Sequence, residues 1–150
     1  MCTMIAVIQR VLKAGVFVDD PPHEERIGKG LCVLLGVEQG DTQKGAAWIA
    51  KKLANLRIFN DGEGKMNHSI LDIGGDLLLI SQFTLAADCS GGNRPSFIHA
   101  AKPEIAEPLV EKVGVLLQEH GVSVKNGVFG AMMRVEIEND GPVTIVIKQD

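Results

Sequence analysis

The stretch GLCVLLGV, residues 30–37, contains no polar side chain at either odd or even positions. A strand with one wet face alternates apolar and polar residues, so this strand is buried on both faces and sits centrally in its sheet. It needs apolar cover above and below.

The flanking sequence supplies candidates. MIAVIQRVLKAGVFV, residues 4–18, reads as two strands because β-branched residues are dense and Val16 and Val18 alternate with Gly15 and Phe17. The run DDPPHEER that follows marks an exposed turn. DLLLISQFTL, residues 76–85, reads as a long apolar strand, and short strands are expected from Val122, from Met133 to Glu138 and from Val143. Gly141-Pro142 stands before that last strand. Proline has no N–H to give to a ladder, so the dipeptide reads as the end of a turn mounted on the strand behind it.

Two helices are expected. Asp41 is placed to cap the first, with Ile49, Leu53 and Leu56 on one face; Lys44, Lys51 and Asn55 point the other way. A solvated surface accounts for those lysines, and a nucleic-acid-facing patch would use them too. The second helix lies between Pro103 and His120, with Gly121 as its C′ residue. Either Pro103 opens it and Pro108 bends it, or its first regular turn starts at Pro108. This order predicts one α/β domain over residues 1–150: a mixed, barrel-like sheet with two main helices packed on one side, and not a doubly wound fold. The face without helices requires further strands of the chain or a second subunit.

A length of 150 residues fits one domain, and 45% hydrophobic with 23% charged residues is a globular composition. The longest apolar runs are too short to cross a bilayer, and Met1–Ala6 lacks a signal-peptide start, so no membrane association and a cytosolic location are expected. Cys2, Cys32 and Cys89 form no CxxC pair, which suits a reducing compartment. Net charge is −4, with 9 basic and 9 acidic groups in residues 1–75 and 6 and 10 in residues 76–150. A protein that wraps many phosphates is basic, so any contact with nucleic acid is local, through Lys44, Lys51, Lys52 and Arg57.

The usual catalytic signatures are missing. His23, His68, His99 and His120 are scattered without zinc spacing, and there is no GxSxG elbow, Walker loop or GxGxxG. Asp61, Glu63 and Lys65 imitate the start of a calcium loop, but a cation holds the third ligand place and the glycine is missing. Neither metal nor cofactor is expected. SQFTL, residues 81–85, turns abruptly polar at Ser81, Gln82 and Thr84, as at a sheet's rim or a pocket mouth.

SQFTLAADCSGGNRPSF together with NDGPVT resembles the D-aminoacyl-tRNA deacylase family, whose signatures are SQxTL and NxGPVT. The likeness extends to QRV at 9–11, GLCVLLGV, NLRIF, GKMN and FGAMM, in order along nearly the whole chain. The resemblance implies a homodimer that hydrolyses the ester between a D-amino acid and the 3′-terminal adenosine of tRNA, with an active site shared across subunits. It implies a catalytic pocket lined by Ser81, Gln82, Phe83 and Thr84. Gly141 and Pro142, joined by a cis bond, would enter the partner's pocket and check chirality, with Arg10 steadying them. Phe129, Gly130 and Met133 would lie near the terminal adenosine; Met132 stands where the family usually has Asp.

An aminoacyl ester is already activated, so positioning and oxyanion donors suffice and the absence of a Ser-His-Asp set is expected. Attack by water, assisted by the ribose 2′-hydroxyl, is what the family implies. Two other readings share these residues: a non-enzymatic nucleic-acid-associated dimer on the same fold, and an esterase with Thr84 or Ser81 as nucleophile.

Overall fold

In the computed structural model, which describes residues 4–149, the strand that is apolar on both faces, β3 (Gly30–Gly36), runs between β1 (Met4–Val18) and β6 (Asp76–Ser81). Cys2 lies outside the described residues. β1 pairs antiparallel with β3 and β2 (His23–Ile27) along one edge and with β8 (Arg134–Gln149) along the other. β6 pairs parallel with β3 and with β7 (Ser123–Asn126), giving the order β2-β1-β3-β6-β7 with β8 beside β1. A small hairpin, β4 (Phe59–Asn60) and β5 (Met66–His68), stands apart.

Both faces of β3 find cover. Leu31, Val33 and Leu35 join Leu77 and Leu79 under α1 (Gln43–Asn55) and α3 (Pro103–Glu119), against Ile49, Leu53, Val113 and Leu117. On the opposite face Cys32, Leu78 and Ile80 meet Val11, Ala14, Val16 and Ile27. At about 1.5–3 kcal/mol for each large side chain fully buried, the second core is reason enough for the sheet to fold over on itself. A strand of fifteen residues would extend about 50 Å if straight. Instead β1 changes register against β8 around Val11, and its second half crosses over β6 with β2 and the first half of β8. His23 Nε2 meets the Asn126 carbonyl at 2.9 Å, and Lys125 lies 3.9 Å from Glu25, so side chains link β2 to β7 where the ladder does not. The result is the nearly closed barrel expected, with the uncovered face supplied by the chain's own strands.

Several local expectations need correction. Residues 4–18 form one strand rather than two, because β8 runs beside them almost without interruption. The strands expected at 133–138 and from Val143 are likewise one element, β8, with Gly141-Pro142 inside it. The strand of residues 76–85 stops at Ser81, and Phe83–Ala86 form a 3₁₀ turn. Thr42, not Asp41, caps α1: its Oγ1 accepts from Gly45 N at 3.2 Å, while the Asp41 carboxylate accepts from Glu38 N at 2.7 Å. Partial burial holds the Asp41 carboxyl above the usual carboxylate range, although the Glu38 N–H opposes this.

A short α2 (Ile70–Ile73) adds a third helix, closed by a reciprocal capping box between Ser69 and Asp72. α3 begins at Pro103 and continues through Pro108, and Gly121 follows its C-cap with φ 98°. The outer surface of β1 and β8 keeps apolar groups in solvent: Val7 pairs with Val146, which is 54% exposed, and Leu12 is 48% exposed.

Candidate active site

The polar end of β6 opens into a groove. Parallel pairing sets Ser81 beside Leu35, and Gln82 N donates to the Leu35 carbonyl at 2.8 Å, which fixes where the chain leaves the sheet. The 3₁₀ turn then starts at Phe83, and the N–H groups of Phe83 and Thr84 have no acceptor within the turn. Ser81, Gln82 and Phe83 form one wall of a cavity of about 620 Å³. Phe129, Gly130 and Met133 form another, and Ala106 and Val110, one turn apart on α3, complete it. The SQF and FGAMM segments are thus brought together from residues nearly fifty positions apart.

No titratable side chain lines this cavity. Its polar groups are the Ser81 hydroxyl, the Gln82 amide and main chain. Thr84 does not line it; the Thr84 hydroxyl accepts a hydrogen bond from the Gln82 amide and so orients that residue. At the rim Phe83, 56% exposed, meets Phe97 edge-on at 5.2 Å between ring centroids. The loop carrying Phe97 is tied down by the paired backbones of Asp88 and Ser96, and the Asp88 carboxylate accepts from the Ser90 hydroxyl and N–H. Met132 lies at the mouth, almost wholly exposed. A second hollow of about 490 Å³ shares Ser81, Val110 and Phe129 but carries Glu107 and Glu111 on its α3 side.

Arg10, Gly141 and Pro142 lie elsewhere. Between the pairs Gln9–Thr144 and Val11–Asn139, the four residues 140–143 of β8 stand opposite the single residue Arg10 of β1. This is an extended β-bulge, which unpairs the Gly-Pro segment and turns it outward. Proline's missing N–H therefore interrupts no ladder. Gly141 and Pro142 are exposed, their peptide bond is cis, and Gly141 has φ 127°, a conformation that L side chains rarely adopt. Arg10, only 6% exposed, holds the bulge: Nε donates to the Asp140 carbonyl at 3.1 Å and Nη1 to the Ile58 carbonyl at 2.9 Å. A third contact reaches Asn60 Oδ1 at 3.3 Å, and the Asp140 carboxylate lies 3.4 Å from Nε.

Arg10 is opposite Leu31 of β3 and Ser81 is beside Leu35, so the groups lie four residues, about 13 Å, apart along the sheet. Within one subunit the bulge does not line the groove. The contributions of Ala106 and Val110, and of Ile58 and Asn60 as anchors for Arg10, were not anticipated. The i, i+4 spacing of Ala106 and Val110 offered a signal; the anchors offered none.

Among the described residues there is no cluster of three or more His, Cys, Asp or Glu that could hold a metal ion, and no helix is long and apolar enough to cross a membrane.

The chain matches the family model for D-Tyr-tRNA(Tyr) deacylase over residues 7–148. It is 57% identical over 144 residues to a D-aminoacyl-tRNA deacylase of Roseiflexus castenholzii, covering 96% of this chain and 91% of that one. It is 54% identical over 151 residues to that of Bifidobacterium longum, covering 96% and 93%. Among solved structures, c-Myc DNA Unwinding Element Binding Protein superposes with a TM-score of 0.87 at 40% identity over 97% of this chain and 99% of that one. A probable eukaryotic D-amino acid tRNA deacylase shares the fold, with a TM-score of 0.84 at 17% identity over 98% and 100% of the chains. Sequence and architecture agree along nearly the whole length, and the chain belongs to the D-Tyr-tRNA(Tyr) deacylase family.

Proposed function

We propose that this protein hydrolyses the ester of D-aminoacyl-tRNA, releasing tRNA and the free D-amino acid. The observation that carries the reading is a groove of substrate size, built from SQF and FGAMM, whose wall has hydrogen-bonding groups but no titratable side chain. Such a site suits an acyl group that is already activated. An uncharged apolar wall at Phe129, Gly130 and Met133 fits a nucleoside, and the N–H of Phe83, which opens the 3₁₀ turn on the groove wall, is the donor for the developing oxyanion. One well-aimed donor contributes on the order of 10²–10³ in rate. Water is the nucleophile, and the ribose 2′-hydroxyl of the substrate assists it. Gln82 is held by Thr84, so Thr84 acts as a positioning residue.

The selective element is the bulge at Gly141-Pro142. A D- and an L-residue held by the same amino and carbonyl groups differ in whether hydrogen or side chain meets a given surface. A main-chain surface fixed by Arg10 would exclude the L side chain and accept the hydrogen. Because the bulge and the groove are separated within one subunit, the complete site is formed by two copies, each presenting its bulge to the other's groove. The apolar outer surface at Val7, Leu12 and Val146 supports a homodimer.

A surface that works by rejecting side chains has nothing to reject in glycine. Hydrolysis is therefore expected with D-aminoacyl-tRNA and glycyl-tRNA and not with L-alanyl-tRNA. Comparable turnover of D- and L-substrates would remove the chirality surface from the mechanism. DNA binding without any deacylation would instead favour a binding module on this fold, in line with the name of one structural relative.

A further inference from the structure

α1 is the basic helix of this acidic protein. Its thirteen residues, QKGAAWIAKKLAN, contain three lysines and no carboxylate, whereas α3 carries Glu104, Glu107, Glu111 and Glu119 against one lysine. At 100° per residue, Lys44, Trp48, Lys51, Lys52 and Asn55 fall within an arc of about 100°. All five are exposed, and the opposite arc is buried in the helix-side core.

Two features separate this face from an ordinary solvated one. Among the described residues no carboxylate lies within ion-pair distance of Lys44, Lys51 or Lys52, which is equally true of Lys29, Lys65, Arg94, Lys102, Lys112 and Lys148, but only on α1 do three such cations share one helix face. Trp48, the only tryptophan of the chain, is 40% exposed at the centre of the arc, with Lys52 Nζ 5.3 Å from its ring centroid. An indole with one ammonium group over its ring and two more lysines on its helix face suits a polyanion that also carries flat, stackable surfaces.

The position of the helix extends the match. Val37 forms part of the groove wall, and α1 begins six residues later. Gln39, between them, donates from its N–H to the His99 carbonyl at 2.9 Å and from its side-chain amide to the Ile98 carbonyl at 2.9 Å, which ties the approach to α1 to the rim loop. Lys44 therefore starts near the groove, and the basic row runs about 12 Å along the helix to Lys52.

We infer that the exposed face of α1 docks the phosphate backbone of the tRNA beside its esterified 3′ end, with Lys44, Lys51 and Lys52 on phosphates and Trp48 against a base or ribose. The inference rests on the tRNA-ester reading of the groove and adds where the nucleic acid lies outside it. The acidic side of α3 repels the same backbone, so the two helices together give the tRNA one direction of approach.

Trp48 provides its own probe. Titration with uncharged tRNA is expected to quench its emission, with the quench fading as salt rises. The triple variant Lys44→Glu/Lys51→Glu/Lys52→Glu is expected to raise KM for D-aminoacyl-tRNA about tenfold or more and to flatten the dependence of log affinity on log salt by roughly two to three units. Its kcat, and its hydrolysis of a D-aminoacyl-adenosine that lacks the tRNA body, are expected to stay at the wild-type level. Triple Lys→Arg replacement restores KM, and triple Lys→Gln serves if the Glu variant fails to fold. Emission unmoved by tRNA that a filter assay shows to be bound, or an unchanged KM in the triple variant, overturns the inference. Absence of hydrolysis of both esters by the wild type removes the deacylase reading alone, and the quench still decides the surface.

Discussion

Arg10 Nε lies 3.1 Å from the carbonyl oxygen of Asp140, the residue immediately before Gly141, and so the most buried cation of β1 fixes the most unusual backbone of β8. Replacing Arg10 by Ala leaves the Asp140 and Ile58 carbonyls without this donor. A loss of about 2–4 kcal/mol in unfolding free energy is expected, read by urea denaturation. Arg10→Lys keeps the charge but not the fork, and should retain most of the stability while losing turnover of D-aminoacyl-tRNA. Equal kcat in wild type and Arg10→Lys would detach the bulge from the chemistry.

Gly141→Ala tests the bulge directly. A Cβ there would stand 3.0 Å from both Val143 N and Val143 Cγ2 and 3.2 Å from an Arg10 terminal nitrogen, in a conformation already unfavourable to L residues. The expected cost is about 1–3 kcal/mol, with at least a tenfold fall in kcat/KM for the D-ester. Discrimination against the L-ester should weaken too, as the surface moves. Both are measured by parallel D- and L-substrate assays on the folded variant.

Thr84→Ala separates positioning from nucleophilic catalysis. Losing the hydroxyl that orients Gln82 should lower kcat about tenfold without abolishing hydrolysis, because the main-chain donor at Phe83 remains. Complete loss with folding and tRNA binding intact, together with an acyl-enzyme trapped on the wild type, would make Thr84 the nucleophile.

The two described cysteines should differ sharply toward alkylating reagents. Burial in the second core pushes the Cys32 thiol up to about 12, whereas Cys89 is exposed on the loop beside the groove. At pH 8 in the folded protein, peptide mapping should find Cys89 modified and Cys32 untouched until denaturant is added. Early labelling of Cys32 would mean that the closure of β2 over β6 opens readily.

Three turn carboxylates are held in their charged form by local hydrogen bonds. Asp61, through the N–H groups of Lys65 and Glu63, Asp72, through Ser69, and Asp88, through the Ser90 hydroxyl and N–H, all have pKa values held below the ordinary aspartate range. Each folded value lies below its unfolded one, so the stabilisation is present above the unfolded value, near 3.9, and is lost as pH falls through the folded one. Carboxyl carbon chemical shifts should show these residues titrating below other exposed aspartates. Midpoints at or above the ordinary value would contradict the turn hydrogen bonds.

What was legible in the sequence was what local patterning controls. The two-sided apolarity of GLCVLLGV placed β3 at the centre, and the turn glycine at 121 closed α3 where expected. The mistakes share a cause. The abrupt polarity at Ser81 and Gln82 marked a rim, but Phe83 and Leu85 continue the apolar composition of the strand, so DLLLISQFTL does not show that a 3₁₀ turn replaces the strand there. Gly141-Pro142 carries every local mark of a turn between two strands, yet β1 pairs on either side of it and converts the turn into a bulge. Arg10 lies on the helix-side face of a strand and finds its carbonyl partners 48 and 130 residues away, a relation no window of sequence contains.

The pairing of β1 with β8 joins residues separated by 117 positions at Phe17–Arg134 and by 145 at Met4–Gln149. Contacts of such span carry a large loop-closure entropy, so a ladder of this topology slows folding. The second core, the Arg10 anchor and the Gly-Pro bulge all depend on it. Without it Arg10 has no Asp140 carbonyl to hold and the Gly-Pro bulge has no fixed position, so the surface proposed to tell D- from L-residues rests on one of the longest-range pairings of the chain.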